Sequence, residues 1–392
     1  MAKPVGSRCN LACRYCYYRD KGTGMMSDTL LDTFTRQYIE AQTMPQVLFT
    51  WHGGEPLLRP ISFYRRALQL QRRYARGRHI DNIMQTNGTL LNDEWCAFLR
   101  QNNFLVGISI DGPQHMHDSL RTDHNGRGSW HAVMSAVQLL NKHGVEWNAM
   151  ATVNAANVDH PQEFYHFFRD MGCRYLQFTP VVEQTFRQLD IQTDKQTTRQ
   201  LDIQTNRQED KLVSPHSITA EQWGRFLCGV YDEWVKADVG VLFVQLFDAT
   251  LANWVGEAPG VCSLSPQCTG GAIIETDGSV YSCDHFAFPR YRLGNINSST
   301  LTQLLYGPQQ QAFVASKQSA LTAECRQCEW LFACHGECPR NRFVNDRYGN
   351  AGHNFLCHGY RTFFNHVADD MHFMAGELQA GRPPANIMGR YK

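Results

Sequence analysis

The sequence predicts an α/β fold in two parts, a partial (β/α)6 barrel followed by a smaller cysteine-rich domain. In the first half of the 392-residue chain, short β-rich runs alternate with segments of helical spacing, which is typical of a parallel sheet covered by helices. In the last third, eight of the 14 cysteines lie close together in the sequence. A chain of this length commonly forms more than one domain.

The barrel prediction depends on six candidate strands and on the helices between them. The strands are residues 2–6, 47–52, 82–86, 105–110, 147–153 and 175–181. Between two of them, Trp130, Val133, Met134 and Val137 have the spacing that places one apolar helix face against a sheet. Six such β/α units predict a partial, TIM-like barrel.

Changes in composition divide the chain into three segments. We place the barrel at 1–236, the cysteine-rich domain at 237–370 and a C-terminal tail at 371–392. Within the barrel, about 184–214 reads as an inserted loop, because Arg-Gln-Leu-Asp-Ile-Gln-Thr occurs at 187–193 and again at 199–205. Two copies of a short polar unit cannot form a repeat architecture.

Composition limits the possible partners and the compartment. Lys plus Arg equals Asp plus Glu at 37 each, so overall charge favours neither nucleic acid nor an anionic membrane. The sequence contains no apolar run of membrane-spanning length and no secretory signal, which predicts a cytoplasmic protein. Because cytosolic thiols stay reduced, the cysteines favour metal binding over disulfides.

The first cysteine group is Cys9-x-x-x-Cys13-x-x-Cys16, which follows the first candidate strand. Thiolates suit iron-sulfur clusters or zinc, and a cubane cluster with three protein ligands keeps one iron open for another molecule. Zinc with a fourth ligand from elsewhere, or three unrelated buried thiols, are the alternatives.

Three polar turns follow candidate strands and are expected at one rim of the barrel. They are the turns 53–56 (Gly-Gly-Glu-Pro), 85–88 (Gln-Thr-Asn-Gly) and 109–112 (Ser-Ile-Asp-Gly). The C-terminal rim of a parallel β/α barrel carries the active site, so these turns together predict a bound ligand.

The second cysteine group has enough thiols for two four-thiolate sites. Its members are Cys262, Cys268, Cys283, Cys325, Cys328, Cys334, Cys338 and Cys357. Both a zinc ribbon and a cubane cluster accept four thiolates, so the spacing alone does not choose between them. Cys96, Cys173 and Cys228 are isolated in the sequence, and we interpret them as core residues.

With an aromatic residue before its last cysteine, the first group resembles the signature of the radical S-adenosylmethionine (SAM) superfamily. The resemblance implies a four-iron, four-sulfur (4Fe-4S) cluster whose open iron binds SAM, which is cleaved to a 5′-deoxyadenosyl radical. It also implies that the turn of Gly53, Gly54 and Glu55 receives the amino group of SAM. Further SAM contacts are implied at Ser109, Arg121, Tyr15 and Val182.

The cysteine-rich region resembles a SPASM domain, and nearly the whole chain is similar to the anaerobic sulfatase-maturating enzymes. The similarity includes residues 49–55, 104–107, 176–178, 278–284 and 293–296. It implies two auxiliary 4Fe-4S clusters and thus three clusters in all. The nearer auxiliary cluster would be held by Cys262, Cys268, Cys283 and Cys338, and the farther one by Cys325, Cys328, Cys334 and Cys357.

This resemblance implies oxidation of a cysteine or serine in a sulfatase to Cα-formylglycine. The substrate would carry a Cys/Ser-x-Pro/Ala-x-Arg motif, and a flavodoxin or ferredoxin would supply electrons. By the same resemblance Asp284 is the base, and His285 beside it is the competing candidate. Other hypotheses are a SPASM peptide maturase that forms thioether or carbon-carbon bonds, and a zinc-stapled binding protein without catalysis.

An arginine-rich stretch at 65–78 has the spacing of a solvated helix face. We interpret it mainly as the outer side of a barrel helix. It is also a candidate docking site for an acidic reductant.

Overall fold

The structure is a computed structural model, and it describes residues 1–19, 21–185, 212–269 and 271–392. Its main feature is a sheet of six parallel strands in sequence order. The strands are β1 (Gln46–Trp51), β2 (His79–Thr86), β3 (Leu105–Ser109), β4 (Trp147–Val153), β5 (Tyr175–Pro180) and β6 (Phe243–Val244). This is the partial barrel that the alternating pattern predicts.

Helices cover the outside of this sheet. They are α1 (Asp28–Ala41), α2 (Ile61–Tyr74), α3 (Asp93–Gln101), α4 (Gln114–Leu120), α5 (Trp130–His143), α6 (Pro161–Asp170), α7 (Ala220–Ala237) and α8 (Gln245–Val255). Local sequence explains several helix ends: Ser27 and Asn92 cap α1 and α3, and Gly144 ends α5 in the left-handed conformation. Arg65, Arg66, Arg72 and Arg73 of α2 are exposed, as the helical spacing predicts.

The first and last strands of the barrel differ from our prediction. Residues 2–6 do not form a strand, because Gly6 turns back to donate to the Lys3 carbonyl and Pro4 has no N–H to donate. Ala2 alone forms a bridge with Trp51 of β1. The sixth strand is instead β6, whose two residues are too few to show any periodicity in the sequence.

The cysteine-rich part contains small antiparallel sheets and short helices. The strands are β7 (Ile273–Ile274), β8 (Ser279–Tyr281) and β9 (Arg292–Asn295) in one sheet, and β10 (Arg342–Asn345) and β11 (Ala351–Asn354) in another. The helices are α9 (Leu301–Leu305), α10 (Pro308–Ser319), α11 (Ala323–Arg326), α12 (Leu331–Cys334) and the long α13 (Cys357–Gln379). A 3-10 helix, Pro384–Tyr391, follows α13.

Both predicted segment boundaries fall inside structural units. The barrel sheet continues past residue 236 because β6 pairs with β5, and α13 runs across the boundary that we placed after residue 370. The two flanks of the predicted inserted loop meet in a β-bridge between Gln184 and Val213. The duplicated sequence at 187–205 lies outside the described residues. No helix in the described ranges is both long and apolar enough to cross a bilayer.

Candidate active site and cysteine groups

The turn after β1 holds the backbone that leads into Cys9. Gly54 donates its N–H to the carbonyl of Gly6 at 2.7 Å, and Glu55 donates to the carbonyl of Arg8 at 2.8 Å. A Cβ atom on Gly54 would lie 1.9 Å from the Arg8 oxygen, so the two chain segments can pack this closely only with glycine there.

The Glu55 side chain connects this turn to the turn after β2. Its carboxylate is fully buried and accepts from the Thr86 hydroxyl at 2.7 Å, the Asn87 N–H at 2.8 Å and the Leu57 N–H at 2.9 Å. Burial raises its pKa to about 7, although these hydrogen bonds lower it. The carboxylate therefore links the turns after β1 and β2.

Asn87 then contacts the cysteine loop directly. Its amide donates to the Cys9 sulfur at 3.6 Å and to Asn10 Oδ1 at 3.0 Å, and the Leu11 N–H donates to the same sulfur at 3.4 Å. Two of the three polar turns thus position the first ligand loop.

The three thiols of this loop influence one another's ionisation. Burial raises the pKa of Cys9 to about 12, and the neighbouring charges of Cys13 and Cys16 contribute. Burial also raises the pKa of Cys13, while the Arg121 guanidinium lowers it. Thiols that are hard to ionise while buried together need a cation to become thiolates, which fits a metal-binding loop.

The turn after β3 holds Arg121 beside this loop. Asp111 is fully buried and its carboxylate accepts from Arg121 Nε at 2.9 Å, from the Thr152 hydroxyl at 2.8 Å and from the Tyr15 hydroxyl. The guanidinium lies 5.4 Å from the centre of the Tyr15 ring. Burial opposes the charges of this pair, but their attraction raises the pKa of Arg121 and lowers that of Asp111. Arg121 is therefore a fixed cation near Cys13.

Ser109 and Val182, two other predicted SAM contacts, lie at or just after the ends of β3 and β5. Ser109, at the end of β3, accepts from Gln85 at 3.1 Å. Val182, just after β5, is packed into the main core.

Asp284 lies at the junction between the first cysteine loop and the cysteine-rich part. Its carboxylate forms an ion pair with the fully buried Lys3 at 2.7 Å and accepts from the Tyr17 hydroxyl. Lys3 Nζ is also 3.2 Å from His52 Nδ1 at the end of β1. Burial alone would raise the pKa of Asp284, but Lys3, His52 and His285 lower it below its ordinary value. The Asp284 side chain is thus held as a carboxylate, and it is 13% exposed.

Four of the eight later cysteines form one group beside Asp284. The pKa of Cys283 is raised to about 12 by burial, with contributions from Cys262 and Cys268. Burial likewise raises the pKa of Cys338, with contributions from Cys283 and Cys262. We call Cys262, Cys268, Cys283 and Cys338 the nearer cysteine group.

The other four line a cavity of about 300 Å³. We call Cys325, Cys328, Cys334 and Cys357 the farther cysteine group. His353 Nδ1 lies 3.6 Å from the Cys325 sulfur at this cavity, and Trp330 and Tyr360 also line it. These are the two sets of four cysteines to which the resemblance assigns the auxiliary clusters, and their role as ligands stays a prediction.

Across the described ranges, no three His, Cys, Asp or Glu side chains converge tightly enough to bind a single metal ion. Outside the groups, Cys96 and Cys173 are buried and Cys228 is half-buried, in agreement with core packing.

Several residues of this arrangement were not singled out from the sequence. Tyr17 follows the first cysteine group and His52 precedes the turn at 53–56, so their positions in the sequence could have indicated a role at the site. Lys3 and Lys317, a buried lysine beside the nearer group, are separated from their contacts by many residues in sequence, so only the fold reveals them.

Two family descriptions match parts of the chain. The radical SAM superfamily matches residues 4–168, and the SPASM iron-sulfur cluster-binding domain matches residues 262–329.

Among characterised proteins, a serine-type anaerobic sulfatase-maturating enzyme of Bacteroides thetaiotaomicron is 52% identical, covering 100% of this chain and 94% of its own. A serine-type enzyme of Klebsiella pneumoniae is 35% identical over 94% of this chain and 86% of its own. A cysteine-type enzyme of Clostridium novyi is 32% identical over 96% and 97%.

Among solved structures, native anSMEcpe with bound AdoMet and Cp18Cys peptide has a TM-score of 0.83 at 28% identity, covering 96% of this chain and 98% of that one.

Proposed function

Because the chain belongs to the anaerobic sulfatase-maturating enzymes of the radical SAM superfamily, we propose that it oxidises a serine or cysteine side chain of a sulfatase to Cα-formylglycine. The observation that carries this proposal is the position of Asp284. Its carboxylate lies between the first cysteine loop, through Tyr17, and the nearer cysteine group, through Cys283. A proton acceptor is thereby held next to both proposed cluster sites.

Three 4Fe-4S clusters belong to this proposal, one for each cysteine group. The first would be held by Cys9, Cys13 and Cys16, and the other two by the nearer and farther cysteine groups. The grouping of the thiols supports it, and so does the cavity of about 300 Å³ that the farther group lines. When bound, these groups and SAM supply a 5′-deoxyadenosyl radical and an acceptor for one electron.

SAM binding is assigned to the rim above the first loop. Arg121 is the proposed clamp for the carboxylate of SAM, since its Nε bond to Asp111 fixes the guanidinium near Cys13. The backbone of Gly53 and Gly54 would meet the amino group. Glu55 is assigned a positioning role, because its carboxylate is occupied by the turn after β2.

Asp284 is assigned the role of general base. A serine side chain must lose a hydrogen atom, a proton and an electron to become an aldehyde. Asp284 takes the proton, and Lys3 and Tyr17 hold its carboxylate in place. For a cysteine the same losses produce a thioaldehyde, and water then replaces the sulfur, which leaves as hydrogen sulfide.

Serine is the proposed target residue, and cysteine is an accepted alternative. The support is that the 52% identical relative carries the serine-type name. We propose a Cys/Ser-x-Pro/Ala-x-Arg peptide as the recognised segment, a cytoplasmic setting, and a flavodoxin or ferredoxin as the electron donor for the first cluster. The arginine-rich stretch at 65–78 gives this docking role limited support, since Arg65, Arg66 and Arg76 are near acids of the same chain.

The test is anaerobic reconstitution with iron and sulfide, followed by reduction with SAM and a Ser-x-Pro-x-Arg or Cys-x-Pro-x-Arg peptide. Mass spectrometry should find the aldehyde in the peptide and 5′-deoxyadenosine in solution. Asp284→Asn should retain the iron and the cleavage of SAM but lose aldehyde yield by about 10²-fold or more, because the base is removed.

Asp277→Asn is the matched control, since this carboxylate lies in the turn between β7 and β8, shortly before Asp284, and accepts hydrogen bonds from the backbone N–H and the hydroxyl of Ser279. It should leave the aldehyde yield unchanged. An unchanged yield in Asp284→Asn would remove Asp284 from the mechanism. Zinc in place of iron, with no cleavage of SAM, would overturn the proposed function.

A further inference from the structure

Lys317, on α10, places a buried ammonium group beside the nearer cysteine group. The residue is 0% exposed. Its Nζ donates to the carbonyl of Ser263 at 2.7 Å and to the carbonyl of Cys262. Both acceptors belong to the backbone that carries the first thiol of the group.

No carboxylate of the described residues forms an ion pair with Lys317. Glu337 is near enough to affect its pKa, but the Glu337 carboxylate accepts from the side-chain amides of Asn341 at 3.1 Å and Asn354 at 2.7 Å. A buried ammonium without a counter-charge is strongly destabilising. Burial lowers the pKa of Lys317, whereas Glu337 and the thiols of Cys268, Cys338 and Cys262 raise it, so an anionic centre held by these thiols would be its counter-charge.

We propose that Lys317 is a positioning residue that raises the reduction potential of the cluster bound by the nearer cysteine group. This inference rests on the proposed function, which assigns a cluster to that group. Reduction adds one negative charge to a cluster, so a fixed positive charge nearby stabilises the reduced form more than the oxidised form. The effect is strong here because the ammonium is buried in a low dielectric.

Among the described residues, no fully buried cation lies beside the farther cysteine group, although the half-buried Arg342 is near enough to Cys325 and Cys334 to be affected by their charge. Arg347 and Arg361 line its cavity, but their side chains are 56% and 42% exposed and both face Glu324. Solvent and the opposite charge weaken their effect. Arg342 lies between the two groups, where its guanidinium donates to backbone carbonyls, including that of Lys317 at 2.6 Å.

The asymmetry assigns a direction to the electron that leaves the substrate. A substrate radical would have to lose one electron and one proton: Asp284 would take the proton, and a cluster held by the nearer group would accept the electron, so that charge and atoms would balance. Lys317 favours this transfer because it stabilises the added electron at the cluster next to Asp284.

The experiment measures cluster potentials in the full-length, reconstituted protein, independently of peptide turnover. Cys9, Cys13 and Cys16 are replaced by alanine to remove the signal of the first cluster. Redox titration with electron paramagnetic resonance then follows the two remaining clusters in Lys317→Met, Lys317→Gln and Lys317→Arg. Lys236→Met removes an exposed lysine as the matched control.

We expect Lys317→Met and Lys317→Gln to lower the reduction potential of one of the two clusters. At a fixed applied potential, the ratio of reduced to oxidised cluster should fall at least tenfold. Arginine and the Lys236 control should leave both unchanged. Lys317→Gln retains a hydrogen-bond donor. If the role of Lys317 were purely structural, the cluster potential in this variant would therefore be unchanged. The proposal would also be supported if Lys317→Met and Lys317→Gln lost one cluster selectively while Lys317→Arg retained both clusters.

Two results would overturn it. One is that Lys317→Met and Lys317→Gln keep their full iron content and neither cluster potential shifts. The other is loss of the cluster in all three variants, including Arg, which would indicate a packing role. These results differ from failure of the proposed function, in which the protein with Lys317 would hold no iron-sulfur cluster or make no aldehyde.

Discussion

Gly54 shows how a single residue determines the geometry of the first cysteine loop. The position that its Cβ would occupy is 2.4 Å from the Arg8 carbonyl carbon as well as 1.9 Å from the oxygen, and both atoms are backbone. Backbone cannot move aside by changing rotamer. The glycine therefore brings the turn after β1 against the residue that precedes Cys9.

We predict that Gly54→Ala loses the first cluster. The methyl group would displace the Arg8 backbone and, with it, the first thiol, so iron content should fall by about four atoms per chain and SAM cleavage should be lost. Gly22→Ala is the control, because no atom lies within 4 Å of its Cβ position. Iron analysis of the reconstituted proteins measures both, and full iron in Gly54→Ala would contradict the assigned role of this turn.

At the scale of single residues, the sequence allows a ligand role to be predicted for the cysteines, but it does not identify the charged residues beside them. The spacing of Cys9, Cys13 and Cys16 is local, and the charges of Cys13 and Cys16 contribute to the raised pKa of Cys9. Lys3 and Asp284 are 281 positions apart yet 2.7 Å from each other, and no periodicity relates them. The predicted ligand role of Glu55 also needed the fold, because burial and three donors assign its carboxylate to the turns.

At the scale of elements, α7 and α13 cross at two glycines. A Cβ on Gly359 would lie 2.2 Å from the Ala220 carbonyl oxygen and 2.9 Å from the Gly224 nitrogen. The helices can approach this closely only without side chains at the crossing. Cys357, a member of the farther group, is in the first turn of α13, so this crossing also sets the position of its thiol.

Gly359→Ala should therefore weaken both the helix packing and the farther cluster. We expect a loss of about 1–3 kcal/mol in stability, with lower iron content, because the methyl group overpacks the crossing. Gly376→Ala in the same helix has open space around its Cβ and should instead gain about 0.5–1 kcal/mol. Anaerobic thermal unfolding distinguishes them, and equal midpoints would contradict the packing argument.

Elements with a clear period were predictable, and those without one were not. The spacing of Trp130, Val133, Met134 and Val137 correctly predicts α5, with Val133 and Val137 buried. By contrast, β6 has two residues, and it pairs with β5, which is distant in sequence. The 3-10 turn at Asp284 is as short, and only tertiary contacts define it.

For the whole molecule, the barrel and the cysteine-rich part are joined through the first residues of the chain and the first cysteine loop. Ala2 bridges both Trp51 of the barrel sheet and Ile274 of β7. The Tyr18 hydroxyl donates to Glu275, and Lys3 Nζ lies 4.1 Å from the centre of the Tyr18 ring. The two cysteine regions are therefore held in a fixed relation by buried polar contacts.

Tyr18→Phe tests this connection. Tyr18 is 1% exposed and Glu275 is 8% exposed, so removal of the hydroxyl leaves a buried carboxylate without this donor and should cost about 1–3 kcal/mol. Tyr348→Phe, in which the lost hydroxyl belongs to a residue that is 54% exposed, should cost less than about 0.5 kcal/mol. The thermal midpoint of the reconstituted protein measures both changes.

The cost of Tyr18→Phe should also depend on pH. Burial already raises the pKa of Glu275, and the Tyr18 hydroxyl lowers it, so loss of the hydroxyl raises this pKa further. A folded-state pKa above the unfolded value means that the folded state binds the proton more tightly, and stability is lost as pH rises through that range. The destabilisation should therefore be greater at pH 8 than at pH 5. A cost that does not change with pH would indicate that the hydroxyl contributes packing only, and that Glu275 does not couple the two parts of the molecule.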